Sequence, residues 1–375
     1  MEPENDSNIK IPFYAKSALI FVSVFAFVFI MYIGQDIIVP IVYALVFAIL
    51  LNPFVNYLIN KRLGKIASIT IIVVISIIVV SLVLYLLFSS ISMFSESYPQ
   101  FKLKLDATID QLVKWASHEF GYGKSKINSW LRDAKSDTIS NYANGETLSQ
   151  LGQISVTLVL IPVYLFMILY YKSLLLEFIR KLFHKAHHFT VVEVLSNSKI
   201  IIQSYLTGLF FEMIIMAVLN SVGLLLLGIE YAIILGIIAA VLNIIPYIGG
   251  IIATLLPMFI AFVTKDSLWY PVLVFVVTII IQFIDNNYIV PKIVASRVQI
   301  NALVSIIGVL IGGALWGFSG MFLSIPLIAI LKVIFDHIEP LKPWGFLFGN
   351  IVPTASKFSF IKRSNTVRKT NILNN

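Results

Sequence analysis

Asn243-Ile244-Ile245-Pro246-Tyr247-Ile248-Gly249-Gly250 interrupts an apolar stretch that runs from residue 231 to residue 263. As a straight helix that stretch would be about 48 Å long at 1.5 Å per residue, well beyond a hydrocarbon core of about 30 Å. Proline has no amide hydrogen and glycine no side chain to hold a helical backbone, so the octet is a strong local breaker. A second stretch, 302–335, has the same character. It is broken at Gly312-Gly313 and again across Trp316-Gly317-Phe318-Ser319-Gly320, with Pro326 beyond.

Working outward, six simpler segments read as membrane helices, at 18–33, 37–59, 66–90, 151–171, 209–228 and 270–284. Each is apolar around its whole circumference, the mark of a span rather than a surface helix. The chain of 375 residues is 59% hydrophobic and 12% charged, with a mean hydropathy of +0.93. That leaves too little polar surface to cover a globule in water. The expected fold is therefore all-α, a polytopic membrane bundle whose partners include lipid. Its net charge of +8 reads as membrane topology rather than as a nucleic-acid surface. With no cysteine, disulfides, thiolate metal sites and thiol nucleophiles are excluded. The run Ala18–Ile33 follows Lys10 and Lys16 as a signal peptide would, but no small-x-small cleavage site comes after it, so it is expected to stay as an anchor helix.

Five regions follow: membrane helices over 1–90, a polar insert at 91–150, a fourth membrane helix and linker at 151–208, a core at 209–338 holding both broken stretches, and a basic tail at 339–375. Phe101, Leu105, Ile109, Leu112 and Ala116 recur at helical spacing, so the insert begins as an amphipathic helix. The insert carries seven basic and seven acidic residues. The 60–65 loop, by contrast, has Lys61, Arg62 and Lys65 without an acid, and 172–208 and the tail are also basic. Basic loops favour the cytoplasmic side. That places both termini, 60–65 and 172–208 inside and the insert outside.

Each broken stretch either crosses once as a long kinked helix, giving eight spans, or turns back as a re-entrant hairpin. About 14 residues on either side of Pro246–Gly250 are too few to span but suit a hairpin arm. Folding back would also place Lys292 and Arg297 inside, in keeping with loop charge. The C-terminal half would then be an inverted repeat of one helix plus one hairpin, with broken helices meeting near the membrane centre, as secondary transporters build their sites.

The run Gly228-Ile229-Glu230-Tyr231-Ala232, Leu235-Gly236 and Asn243 through Gly250 resembles the autoinducer-2 exporter family of bacterial membrane proteins. So do Asn286-Asn287-Tyr288-Ile289-Val290-Pro291-Lys292, Ile307-Gly308 through Gly312-Gly313, Trp316-Gly317, Gly320-Met321, Ile325-Pro326 and Lys332, with Tyr205 and Gly208 ahead of them. Two positions depart from the family's pattern. Leu209 stands where many members have glutamine, and Asn301-Ala302 where many have His-Pro or Asn-Pro. The resemblance implies an oligomeric transporter or exporter of the bacterial cytoplasmic membrane. It leaves the substrate open, since members are associated with autoinducer-2 and others with sodium/proton exchange.

Candidate substrate- or ion-binding residues follow from where polarity is costly. Glu212 lies inside an apolar span, where an ionisable group is by default functional, unless it reaches the interface or pairs with Lys199. Asn243, Pro246, Tyr247, Gly249 and Gly250 form the first tip, whose freed amides and carbonyls offer uncharged ligands. Gln282, Asp285, Asn286, Asn287, Pro291 and Lys292 cluster where a span ends, either as a site or as a polar interfacial loop. Tyr205, Gly208, Gly312, Gly313, Gly317, Gly320 and Pro326 suit hinges or helix packing. His184, His187 and His188 share a helical face, yet lie in a basic loop and read as a solvated surface rather than a metal site.

No nucleophile–base pair, paired intramembrane aspartates or phosphate-binding glycine loop is present. The expectation is no enzyme and no cofactor, but a carrier for a small polar solute or cation, acting by alternating access. A sodium/proton antiporter, a channel in a homo-oligomer, or a membrane scaffold remain the alternatives.

Overall fold

Backbone amides in hydrocarbon have no hydrogen-bond partner except the chain itself, so apolar runs of span length wind into helices. A computed structural model describes residues 12–120, 146–245, 248–295 and 299–350. Pro246, Tyr247, Arg297, much of the insert and the tail beyond residue 350 lie outside the described residues.

Helix α1 (Phe13–Ile33) turns at Gly34 into α2 (Gln35–Asn60), and α3 (Lys65–Phe120) and α4 (Glu146–Leu182) follow. A 3-10 turn at Lys185–His187 leads into α5 (His188–Leu226), then α6 (Ala232–Asn243), α7 (Ile248–Thr264) and α8 (Trp269–Ile284). The last continues as a π-helix, Asp285–Ala295. After it come α9 (Ala302–His337), a 3-10 turn at Glu339–Leu341 and α10 (Lys342–Phe348). Among the described residues the only extended pairing is an isolated bridge between Ile300 and Gly349. Among the described residues seven helical stretches are long and apolar enough to cross a membrane. Helix α1 buries none of its residues, and Phe21, Phe25 and Phe29 on it are exposed. Such a surface is stable when lipid is the solvent. The fold is an all-helical, polytopic membrane bundle.

Both broken stretches fold back. An ideal Cβ on Gly249 would lie 2.6 Å from the Leu242 carbonyl carbon and 2.9 Å from the Asn243 Cα. Only a residue without a side chain lets α6 and α7 approach so closely at the turn. At the other end of this hairpin, Lys104 of α3 donates to the carbonyls of Val263 and Lys265, and Phe101 packs at a tilt against Phe259 with centroids 4.3 Å apart. The segment therefore returns to the face that carries the start of the insert. In α9 the helix is broken at Trp316 (φ −131°, ψ 20°) and Gly317 (φ 58°, ψ −137°), the latter in a region that favours glycine. Gly312 then faces Gly320 across the fold, with its Cβ position 2.9 Å from the Gly320 carbonyl carbon. Of the two glycine clusters in 302–335, the second is the tip and the first is a packing face.

The two hairpins enter from opposite ends of α5. The first leaves its C-terminal end. The second is tied to its N-terminal end, where the His337 imidazole comes within 3.7 Å of Glu193. Asn301 closes that base, donating from Nδ2 to the Leu347 and Gly349 carbonyls at 2.6 and 3.0 Å. Helix α8 runs antiparallel to α5. The Gly223 Cβ position lies 2.7 Å from Val277 Cγ1, and that of Gly208 lies 2.7 Å from the Ile293 carbonyl oxygen. A helix plus a hairpin thus occurs twice with opposite sense, the arrangement inferred from the two broken stretches.

Element ends differ from hydropathy ends. α3 is continuous through residue 90 and α5 through residue 208, so divisions at 90/91 and 208/209 fall inside helices. Hydropathy marks where a helix leaves lipid, not where its hydrogen bonds stop. Residues 285–295 are likewise not an interfacial loop, because the chain stays helical there in wider π turns.

Candidate functional site

Antiparallel packing of α6 on α5 sets the level of the first tip. Gly236 sits against Ser221, and Ala240 shares a core cluster with Met216. One further turn along, Asn243 ends α6 at the level of Glu212. Helix α8 supplies the third wall, and its change to π winding begins at Asp285. Such wide turns are rare and concentrate at functional sites.

Three side chains join in a row. Gln282 Nε2 donates to Asn243 Oδ1 at 2.8 Å, and Asn243 Nδ2 donates to Asp285 Oδ2 at 2.9 Å. Gly250 permits this closeness, since a Cβ there would stand 2.6 Å from Gln282 Nε2. Asp285 is 2% exposed, and among the described residues its Oδ1 has no hydrogen-bond partner. Glu212 is 6% exposed. Among the described residues neither carboxylate forms an ion pair, with Lys199 or with any other cation. A buried carboxylate without a cation is costly unless a proton or an incoming cation neutralises it.

Both acids line one cavity of about 760 Å³ with Tyr205, Asn243, Gly250, Gln282 and Asn286. The structure thus gathers seven of the sequence candidates at one place. It also adds Thr254, Ser305 and Asn350. Thr254 lies one helical turn after Gly250 and was legible by that spacing, whereas nothing in the sequence singles out Asn350. Asn287 points elsewhere, donating to the Phe283 carbonyl at 2.8 Å, and Pro291 and Lys292 are exposed outside the cavity lining. Gly249 serves the close approach of the two arms and Gly208 the crossing of α5 over the π-helix. Gly312, Gly313 and Gly320 pack within the second hairpin, and Pro326 is buried in its second arm. The second tip docks away from the cavity: Trp316 Nε1 donates to the Met31 carbonyl at 2.9 Å, and the Tyr43 hydroxyl to that of Ser319 at 3.4 Å. His184 and His188 are occupied by local backbone contacts in the α4–α5 turn. Among the described residues no three or more histidine or acidic side chains are placed to hold a metal.

The sequence profile described as AI-2E family transporter matches residues 19–339. The AI-2 transport protein TqsA of Escherichia coli (strain K12) is 24% identical over 314 residues, covering 81% of this chain and 87% of TqsA. YhhT of the same organism, whose name assigns it provisionally to transport, is 24% identical over 300 residues, 80% of this chain and 84% of YhhT. YrrI of Bacillus subtilis (strain 168) is 34% identical over 134 residues, 36% of this chain and 37% of YrrI. With a match that runs from α1 into the turn after α9, this chain belongs to the AI-2E family of membrane transporters.

Proposed function

We propose that this protein is a secondary transporter of the bacterial cytoplasmic membrane, with both termini inside, that moves a small polar solute or cation by alternating access. The observation that carries the reading is the meeting of Asn243, at the tip of a hairpin, with Asp285 on the neighbouring helix, beside Glu212 in one cavity. A hairpin tip bonded to a second repeat is a joint that breaks and reforms when the repeats move. Two carboxylates without counter-charge give a proton or sodium ion a reason to be there. Basic loops support the orientation. In that orientation the cavity extends toward the inside, because Ser305 at the base of the second hairpin and exposed Asn350 belong to its lining. The first four helices act as a frame for the two repeats.

The test is flux in proteoliposomes against a solute panel, with a proton or sodium gradient imposed. Gradient-driven, saturable uptake that Glu212→Gln and Asp285→Asn each abolish supports the proposal. Flux indifferent to both gradients rejects coupling, and conductance without saturation favours a channel. Sodium/proton exchange with no organic solute is the second reading, favoured by the acid pair itself. It predicts cation-driven proton movement in empty vesicles.

A further inference from the structure

The ionisable carboxyl groups at the site, Glu212 and Asp285, are both of one sign. Gln282 and Asn243 each spend an N–H inside the row, while among the described residues Asp285 Oδ1 is left as a buried acceptor without a partner and Glu212 adds a second carboxyl to the same lining. Among the described residues no lysine, arginine or histidine lines the cavity. An anion entering it would face two carboxylates and no compensating charge, which electrostatics forbids at such short range and low dielectric. The vacant positions call for a cation or a strong donor.

The remaining walls narrow the class further. Leu209, Ile251, Leu255, Phe275, Ile279 and Ile325 present hydrocarbon to the same space. A bare or hydrated inorganic ion occupies a small part of a cavity of about 760 Å³ and leaves those walls wet. A polyhydroxylated solute would set hydroxyls against hydrocarbon that cannot bond them. A molecule with an apolar body and one positive charge satisfies both halves: its body covers the aliphatic wall and its charge meets the acids, with Phe275 and Tyr205 in the same lining.

We infer that the cavity between α5, the first hairpin and the α8–π helix binds organic cations with a hydrocarbon body, charge toward Glu212 and Asp285. This names a substrate class for the transport reading and rests on that reading only for the movement of the ligand, not for its binding. The two acids divide the work. One neutralises the ligand and the other is left for a proton, so ligand and proton share a site and compete or exchange there.

The probe is tetraphenylphosphonium, with tetraphenylborate, of the same shape and opposite charge, measured separately. Equilibrium binding to the purified full-length protein is read by calorimetry and by the shift in thermal midpoint. Saturable binding of the phosphonium with none of the borate is expected. Glu212→Gln and Asp285→Asn, which keep the size of each side chain, should each weaken phosphonium binding at least tenfold. The comparison of the two probes on the unaltered protein needs no variant to fold. Equal binding of both probes, absence of phosphonium binding, or unweakened binding by both variants overturns the inference. Gradient-driven flux of another solute alongside absent phosphonium binding refutes the inference and leaves the transport reading standing. Phosphonium binding without flux under any gradient supports the inference and refutes the transport reading.

Discussion

Replacing Gly249 by alanine probes the first hairpin through a single methyl group. Its ideal Cβ lies 2.6 Å from the Leu242 carbonyl carbon and 2.9 Å from the Asn243 Cα, both backbone atoms that cannot rotate away. Ordinary contact begins near 3.4 Å and the Leu242 carbonyl oxygen lies closer still, so the arms must part by more than roughly 0.8 Å at the turn, a displacement a close-packed interior resists. Asn243 is the residue pushed. Carrying its 2.9 Å bond to Asp285 outward by that amount takes it beyond hydrogen-bonding distance. Overpacking of this kind costs about 1–3 kcal/mol, and the buried carboxylate loses its one partner as well. Gly64→Ala is the control, since nothing lies within 4 Å of its Cβ position. The assay is thermal unfolding in detergent together with flux in proteoliposomes. Gly249→Ala should lower the midpoint and cut flux at least tenfold, and Gly64→Ala should do neither. A Gly249→Ala protein with unaltered midpoint and flux would refute the argument that this glycine sets the geometry of the tip.

Three further outcomes follow from other contacts. Asn243→Ala and Gln282→Ala, alone and together, should show a coupling of about 0.5–3 kcal/mol in a double-mutant cycle of unfolding free energy, because their amides bond each other at 2.8 Å; strict additivity would deny the row. Lys104→Met removes the donor to the Val263 and Lys265 carbonyls and should cost about 0.5–1.5 kcal/mol, read as a lowered thermal midpoint; no change would mean the insert helix is not fastened to the hairpin there. Trp316→Phe deletes the bond to the Met31 carbonyl at a similar cost of about 0.5–1.5 kcal/mol while sparing flux, since that tip docks away from the cavity. Flux lost with stability intact would place the second tip in the transport path.

The fold was legible where sequence conflicts with span length. An apolar run too long for the bilayer, with Pro246, Gly249 and Gly250 at its middle, has few ways to lie, and folding back is the one seen. The second hairpin was legible as a break but not at its position. Gly312-Gly313 and Gly317–Gly320 look alike as letters, and only the backbone shows that Gly317 turns the chain while Gly312 faces Gly320 across it. Glu212, Asn243, Gln282 and Asp285 were legible because polarity inside apolar runs is expensive. Their junction was not, because it depends on α5 and α6 aligning in register and on α8 and α5 crossing at Gly208 and Gly223. The π winding from Asp285 left no mark that distinguishes it from a polar loop, since composition at a span end is the same for both. Asn350 joins the cavity through the clamp that Asn301 makes to residues 347–349, a long-range contact with no periodic signal.

The central claim is that residues 232–264 return to the face they left and so deliver Asn243 to Asp285. The chain has no cysteine, so single introduced cysteines report their own side of the membrane without background. Ala107→Cys lies on the insert helix and Ser267→Cys just beyond the hairpin, both exposed, and Lys292→Cys lies on the exposed side of the π-helix. A membrane-impermeant maleimide should label positions 107 and 267 from one side and position 292 only from the other. Labelling of 267 from the side opposite to 107 would mean that the segment crosses once, and the site built on its turning back would not exist.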